Sequence, residues 1–308
     1  MRFTPYSFRR HLRRRFLLGT GLAAAAIIPT AMPALAQEQD QIGSAITPAA
    51  PPPAIDPNKE TVTIGVGAVY LPDYEGSKHY TVQPAPGAIG SIKGYSFLLA
   101  GNQLSVDLVR NHPGQTWDVQ AGPIAQLNFN RTSTVKIHDR AVRSLGDLDT
   151  AVELGGYVGI GKNGVVVGSY DSLSIGVSYR HDIADVHDSG IWQPSVTYMT
   201  PLSTKTALAM FWTADIVERG YARTYYGVSD TQSLATGLKR FDPKGGLKSW
   251  TLGVVAQQAL MHNLQHGLQL VAGGTYGRME GDIARSPIIE DRGSRDQWLA
   301  TLGLAYTF

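Results

Sequence analysis

The chain has 308 residues, no cysteine, and 34 glycines and 14 tyrosines against only 17% charged residues. The missing cysteine excludes disulfides, thiolate metal sites, cysteine nucleophiles and a lipid-modified N-terminal cysteine. Six of the 27 basic residues are arginines within the first 36 positions, which hold no acidic residue; the remainder carries 21 basic against 25 acidic groups, a net charge of −4, so nothing supports a nucleic-acid partner.

The chain begins with "RRHLRRR" (Arg9 to Arg15), then the apolar run "FLLGTGLAAAAII" and "ALA" (Ala34 to Ala36), a small-x-small cleavage pattern. Residues 1–36 therefore read as a signal peptide, with maturation expected at Gln37. An uncleaved anchor is disfavoured because the apolar core is short and rich in Ala and Gly. "RRRFLL" also resembles a twin-arginine signal, which leaves the export route open. Residues 37–60, rich in Gln, Ala and Pro without apolar periodicity, read as a flexible periplasmic leader.

From Thr61 the dominant period is two, and no long segment has a helical period. "TVTIGVGAVY" sets Val62, Ile64, Val66, Ala68 and Tyr70 on one face. "WDVQAGPIAQLNFN" sets Trp117, Val119, Ala121 and Leu127 against Asp118, Gln120, Gln126 and Asn128. The pattern predicts strands near 61–71, 83–92, 94–100, 103–110, 116–130, 150–162, 169–181, 191–200, 205–217, 249–261, 265–278 and 295–308. They are longer than most soluble strands, and the less apolar face carries Gly, Ser, Thr and Gln rather than Lys and Glu. Both properties fit a sheet whose apolar face meets lipid and whose other face lines a lumen. Tyr70, Trp117, Phe129, Tyr179, Trp250, Tyr276, Trp298 and Phe308 at the ends of apolar faces are expected in interfacial girdles. Only a closed sheet satisfies its backbone in lipid.

The fold class predicted is all-β: residues 61–308 form a single antiparallel transmembrane β-barrel of about twelve strands, closed by pairing of the first and last. Connections after odd strands are long except "GN" at 101–102, and those after even strands are short. That asymmetry is expected when both termini are periplasmic. The final strand, "WLATLGLAYTF", keeps its even-numbered residues toward lipid.

By parity Asp107, Asp118, Glu153, Arg180 and Asp215 face the lumen. They either set cation preference in a pore or pair with polar neighbours and plug a narrow bore. Tyr225, Tyr226 and Phe241 lie in a 31-residue loop, where they form a recognition surface or fold the loop over the mouth. "GIGKNG" (Gly159 to Gly164) matches a dinucleotide pattern literally, but "VVVGSY" follows where a helix is required, and "NG" is a hairpin turn. His262 and His266 flank a turn and lack a third ligand. The loop "RHDIADVHDSG" reads as a solvated acidic loop rather than a cation site. No nucleophile beside a base is marked; the chain is not expected to be an enzyme, and no cofactor or metal is expected.

Four segments resemble the MipA/OmpV family of outer-membrane proteins: "LPDYEGSKHY" (Leu71 to Tyr80), "VRSLGDLDTAVELGGYVG" (Val142 to Gly159), "YYGVSDTQSLATGL" (Tyr225 to Leu238) and the C-terminal "RMEGDIARSPIIEDRGSRDQWLATLGLAYTF". The resemblance implies a barrel in the outer membrane of a Gram-negative bacterium, among phospholipid and lipopolysaccharide. It further implies a scaffold joining a lytic transglycosylase to a bifunctional peptidoglycan synthase. A narrow diffusion channel and an adhesin acting through the outer loops are the alternatives. Outer-membrane barrels resemble one another in ending on Phe, so Tyr306 and Phe308 are the expected signal to the barrel-assembly machinery.

Overall fold

A computed structural model of the protein describes residues 60–110, 115–168 and 170–308. The expected signal peptide and all of the leader but Glu60 lie outside the described residues. Twelve antiparallel strands close into a barrel: β1 Thr61–Pro72, β2 Tyr80–Ile92, β3 Tyr95–Ala100, β4 Gln103–Val106, β5 Trp117–Asn128, β6 Ala151–Asn163, β7 Ser172–Asp182, β8 Gly190–Pro201, β9 Thr206–Val217, β10 Gly246–Ala259, β11 Gly267–Met279 and β12 Asp296–Thr307. Each strand pairs with the next, and β12 returns to β1 in the register Gly65↔Ala305, Gly67↔Gly303 and Tyr70↔Ala300. Closure leaves no free edge.

Alternation decides which side chains face where. On the outside Ile64, Val66, Leu252, Val254, Leu302 and Leu304 are exposed, an apolar surface that water would not tolerate and lipid requires. At the end bearing the long loops, rings gather on this outer face: Tyr70 on Tyr80 at 4.9 Å, Tyr179 on Trp192 at 4.7 Å and Tyr276 on Trp298 at 4.8 Å between centroids. At the opposite end, which carries the short turns, Tyr306 and Phe308 pair at 4.8 Å and Trp117 is exposed. Phe129 departs from the expected girdle and is buried, because the chain leaves the sheet at Asn128.

Two local features shape the interior. The sheet register slips between Leu247 and Ser249, so that Lys248 is an extra residue opposite β9. Alternation would send Lys248 to lipid beside Trp250; the bulge turns it inward, where it is 4% exposed. Farther along β10, a Cβ at Gly253 would lie 2.1 Å from the Phe211 ring, so glycine there gives that ring its seat inside the barrel.

The long loops fold into a lid. Its segments include the helices Arg219–Tyr226 and Asp230–Thr236, the second opened by a Ser229–Gln232 capping box and closed by Gly237 at φ 74. One apolar cluster joins Tyr221, Ala222, Tyr225 and Tyr226 to Ile283, Ala284 and Ile289. A second joins Tyr74, Ile137, Val142, Leu145, Val228 and Leu238 to Ile288, with Phe241 packed against it. The second cluster takes in four separate loops, giving the lid covered packing of its own, as a loop set that long requires.

Candidate functional site

Beneath the lid the loop end of the lumen is filled by paired charges. Glu75, from the β1–β2 loop, accepts from Lys248 Nζ at 2.6 Å, Tyr221 Oη at 2.9 Å and Tyr226 Oη at 2.5 Å. Lys248 also lies 3.1 Å from Asp215 Oδ2, whose other oxygen accepts from Gln193 Nε2 at 2.7 Å. The ammonium therefore has two carboxylates and the Tyr221 hydroxyl around it, the condition under which a buried charge is tolerated. Asn130 completes the shell, accepting from the Glu75 backbone N–H at 3.2 Å.

A second cluster sits beside the first. Arg180 Nε lies 3.1 Å from Glu153 Oε2, while Glu153 Oε1 accepts from Asn128 Nδ2 at 3.1 Å and lies 3.5 Å from His187 Nε2. His187 Nδ1 is 2.9 Å from Ser189 Oγ, which accepts from the Tyr221 backbone N–H at 2.7 Å and so ties the two clusters together. Arg131 Nη1 donates to the Tyr225 carbonyl at 2.9 Å, and burial lowers its guanidinium to about 10, still charged at neutral pH. Burial, then the neighbouring Glu75 carboxylate, pushes the Tyr226 hydroxyl well above its usual range and keeps it a donor. Side chains from β5, β6, β7, β8, β9, β10 and four loops meet here, beneath the lid.

Toward the turn end the chemistry changes. A belt of hydroxyls, including Ser195, Thr213 and Thr251, gives way to a chamber of about 290 Å³ on the side formed by β8 to β12 and β1 to β3. Its inward-facing walls are Gly65, Gly87, Met199, Ala209, Phe211 and Val255 among others, and no ionisable side chain lines it. One amide, Gln257, lines it and is tied down behind the wall: it donates to Gln269, which donates to the Leu264 carbonyl at 2.8 Å and to Thr307 Oγ1 at 2.6 Å. The opposite wall, β4 to β7, is polar, with Asp118, Gln120 and Tyr157 turned inward and buried.

All five charged residues placed in the lumen by parity point inward and are buried. Glu153 and Arg180 pair directly, and Asp215 joins Lys248. Asp107 and Asp118 are held locally instead, the first by the backbone N–H groups of Val109 and Ala121, the second by Gln120. Tyr225 and Tyr226 are each about 1% exposed, so they present no recognition surface; their rings form the lid core because a loop this long needs one. Phe241 is half-buried and bridges to Val228. Sequence reasoning did not single out Glu75, Lys248 or Tyr221, and it met His187 only as a member of the acidic loop. Lys248 carried a readable signal, since an ammonium on a lipid-facing position is costly and predicts a bulge.

The "RHDIADVHDSG" loop is folded by Asp182, whose carboxylate accepts from the backbone N–H groups of Ala184, Val186, His187 and Asp188. The His262 and His266 rings meet edge to face at 5.4 Å. Among the described residues no group of three or more His, Asp or Glu is arranged to hold a metal ion. "GIGKNG" lies in β6 and the turn that follows it.

A closed twelve-stranded barrel with a lipid-compatible outer face, aromatic rings at both ends and a lid over one mouth defines an outer-membrane β-barrel. The chain belongs to the family of MltA-interacting protein MipA, whose model matches residues 64–308 and so takes in all four motif segments. No curated protein matches. Among solved structures the chain is similar to an outer-membrane channel from Pseudomonas putida F1, at 10% identity over 85% of this chain and 100% of that one, with a TM-score of 0.41. It is also similar to the outer-membrane channel DcaP of Acinetobacter baumannii (10% identity, 81% and 96% covered, TM-score 0.37) and to OmpT of Vibrio cholerae (8%, 81% and 97%, 0.34). Likeness at this level concerns the barrel fold alone.

Proposed function

We propose that the protein is a membrane-held scaffold that keeps cell-wall enzymes, a murein hydrolase and a peptidoglycan synthase, close to the outer membrane. The observation that carries this reading is the plug. A diffusion channel needs a continuous wet bore, whereas here Glu75, Lys248 and Asp215 bond across the mouth under an apolar lid. The turn end supplies the complementary support, with Val166, Val167, Leu202 and Met261 exposed on its short turns. Exposed apolar side chains beyond the lipid belt are what a periplasmic protein partner would cover. The interaction with MltA in the family's description enters as part of the same proposal, as does a role for Tyr306 and Phe308 in assembly.

The test is affinity capture from envelope extract, beside conductance in planar bilayers. The expected result is recovery of a murein hydrolase or synthase, lost when Val166, Val167 and Leu202 are replaced by Asp, and no stepwise conductance. Failure to recover either enzyme sinks the scaffold reading, and regular conductance steps establish the channel in its place.

A further inference from the structure

The chamber at the turn end has no part in a scaffold, and its chemistry is not that of a polar pore. It lies among β1, β2, β3, β8, β9, β10, β11 and β12, and its volume of about 290 Å³ is bounded by Gly, Ala, Val, Leu, Ile, Met, Phe and Pro86, with a few Thr and one Gln. Apolar cavities of about 150 Å³ stay dry and take up benzene-sized molecules. This one is nearly twice as large and partly open, and the small inward residues Gly65, Gly67, Gly303 and Ala305 face one another along its wall.

We propose that the chamber binds one uncharged alkyl chain. Three observations select that class. The lining offers no cation to a carboxylate or phosphate and no carboxylate to an amine, so a charged headgroup would be desolvated without a partner. The one lining amide, Gln257, is bonded to Gln269 and through it to Thr307, so the chamber offers neutral polarity there rather than charge. Phe211, seated on Gly253, is the one aromatic ring in the lining and bounds the space on the β9 side. The same chemistry has two sources, an acyl chain of a membrane phospholipid or a free neutral amphiphile, and the experiment separates them.

The full-length barrel is reconstituted in phospholipid nanodiscs and titrated with decanol and with decanoate, and bound ligand is counted by native mass spectrometry after release. Wild type is expected to bind decanol saturably, one per barrel, with decanoate much weaker. Gly87→Leu and Ala209→Phe fill the space: a Cβ at Gly87 has only one heavy atom within 4 Å, at 3.6 Å, so the added side chain grows into the chamber. Each methylene that no longer fits should weaken decanol by about fourfold. Phe211→Ala should move the preferred alcohol to a longer chain. Retention of heat-modifiable mobility on gels shows that each variant has folded, and having two filling variants covers the failure of either.

Without added alcohol, one retained phospholipid per barrel that Gly87→Leu removes identifies the chain as a membrane lipid's. Decanol binding with no retained lipid identifies a free amphiphile. Equal decanol uptake by wild type and both folded filling variants overturns the proposal, and so does decanoate binding as tightly as decanol. Neither result touches the capture experiment, so this inference and the scaffold reading fail separately.

Discussion

The two ends of one lumen are built on opposite principles. At the loop end, carboxylates, an ammonium and a guanidinium are buried in contact, each satisfied by a partner from a different element. At the turn end, the side of the lumen formed by β8 to β12 and β1 to β3 is left without any charge and without side chains large enough to fill it. The sheet is the same in both halves and so is the alternation; what differs is the inward residue. Glu153, Arg180, Asp215 and Lys248 stand where the loops can cover them, while Ala207, Ala209, Val255 and Ala305 stand where only short turns lie beyond. Buried charge needs many partners from long connections, and an apolar chamber needs none. The densely paired half of the lumen is therefore the one that many loops converge on.

The sharpest way to break this comparison is Lys248→Met. Removing the ammonium leaves Glu75 and Asp215 buried together without a cation, which should destabilise the lid by about 3–5 kcal/mol. The expected signs are faster proteolysis of the loop 218–245 and a lower denaturant midpoint in lipid. Combining it with Glu75→Gln should recover part of the loss, because one uncompensated charge is then removed. A Lys248→Met protein with wild-type lid protection would mean that packing, not charge pairing, holds the loop end.

A smaller change sharpens the same point. Tyr226→Phe deletes one hydroxyl from Glu75, which keeps Lys248, Tyr221 and Asn130. Losing a bond to a charged acceptor should cost about 1.5–3 kcal/mol, near the lower end here. Hydrogen exchange should quicken in the helix Arg219–Tyr226, while decanol uptake by the chamber stays unchanged. A change in both would show that the two halves are coupled.

Much of this architecture was legible from alternation alone. A period of two over a dozen segments sufficed for strand count, closure and the inward placement of Glu153, Arg180 and Asp215. The features that escaped it are those in which alternation fails or says nothing. Lys248 escaped because a bulge reverses its parity. Glu75 and Tyr221 escaped because loops have no period, and their pairing joins residues 146 positions apart. His187 looked like one member of a solvated acidic loop until Asp182 curled that loop and turned the ring inward. The chamber did leave a trace, since "TALAMFW" in β9 is apolar on both faces. A strand facing a wet lumen would not be.

The smallest expected effect lies outside both halves, in the turn between β6 and β7. Asp171 accepts from the backbone N–H groups of Val165, Val166 and Val167 at 2.9, 2.7 and 2.8 Å, and from Tyr198 Oη at 2.9 Å. Burial alone would raise this carboxyl, but the four bonds outweigh it and hold it well below the usual carboxylate range. A carboxyl depressed on folding contributes stability above its unfolded value, and that contribution disappears as pH falls through the folded value. Protection of the three valine amides should therefore persist through neutral and mildly acidic solution and collapse only below the ordinary carboxylate range. Asp171→Asn should lower their protection wherever the wild-type carboxylate is charged and abolish that dependence, with lid and chamber both unaltered. If exchange at these amides ignored both pH and the substitution, the turn would owe its shape to strand pairing alone. Val166 and Val167 would then be held for a partner by the sheet rather than by this carboxylate.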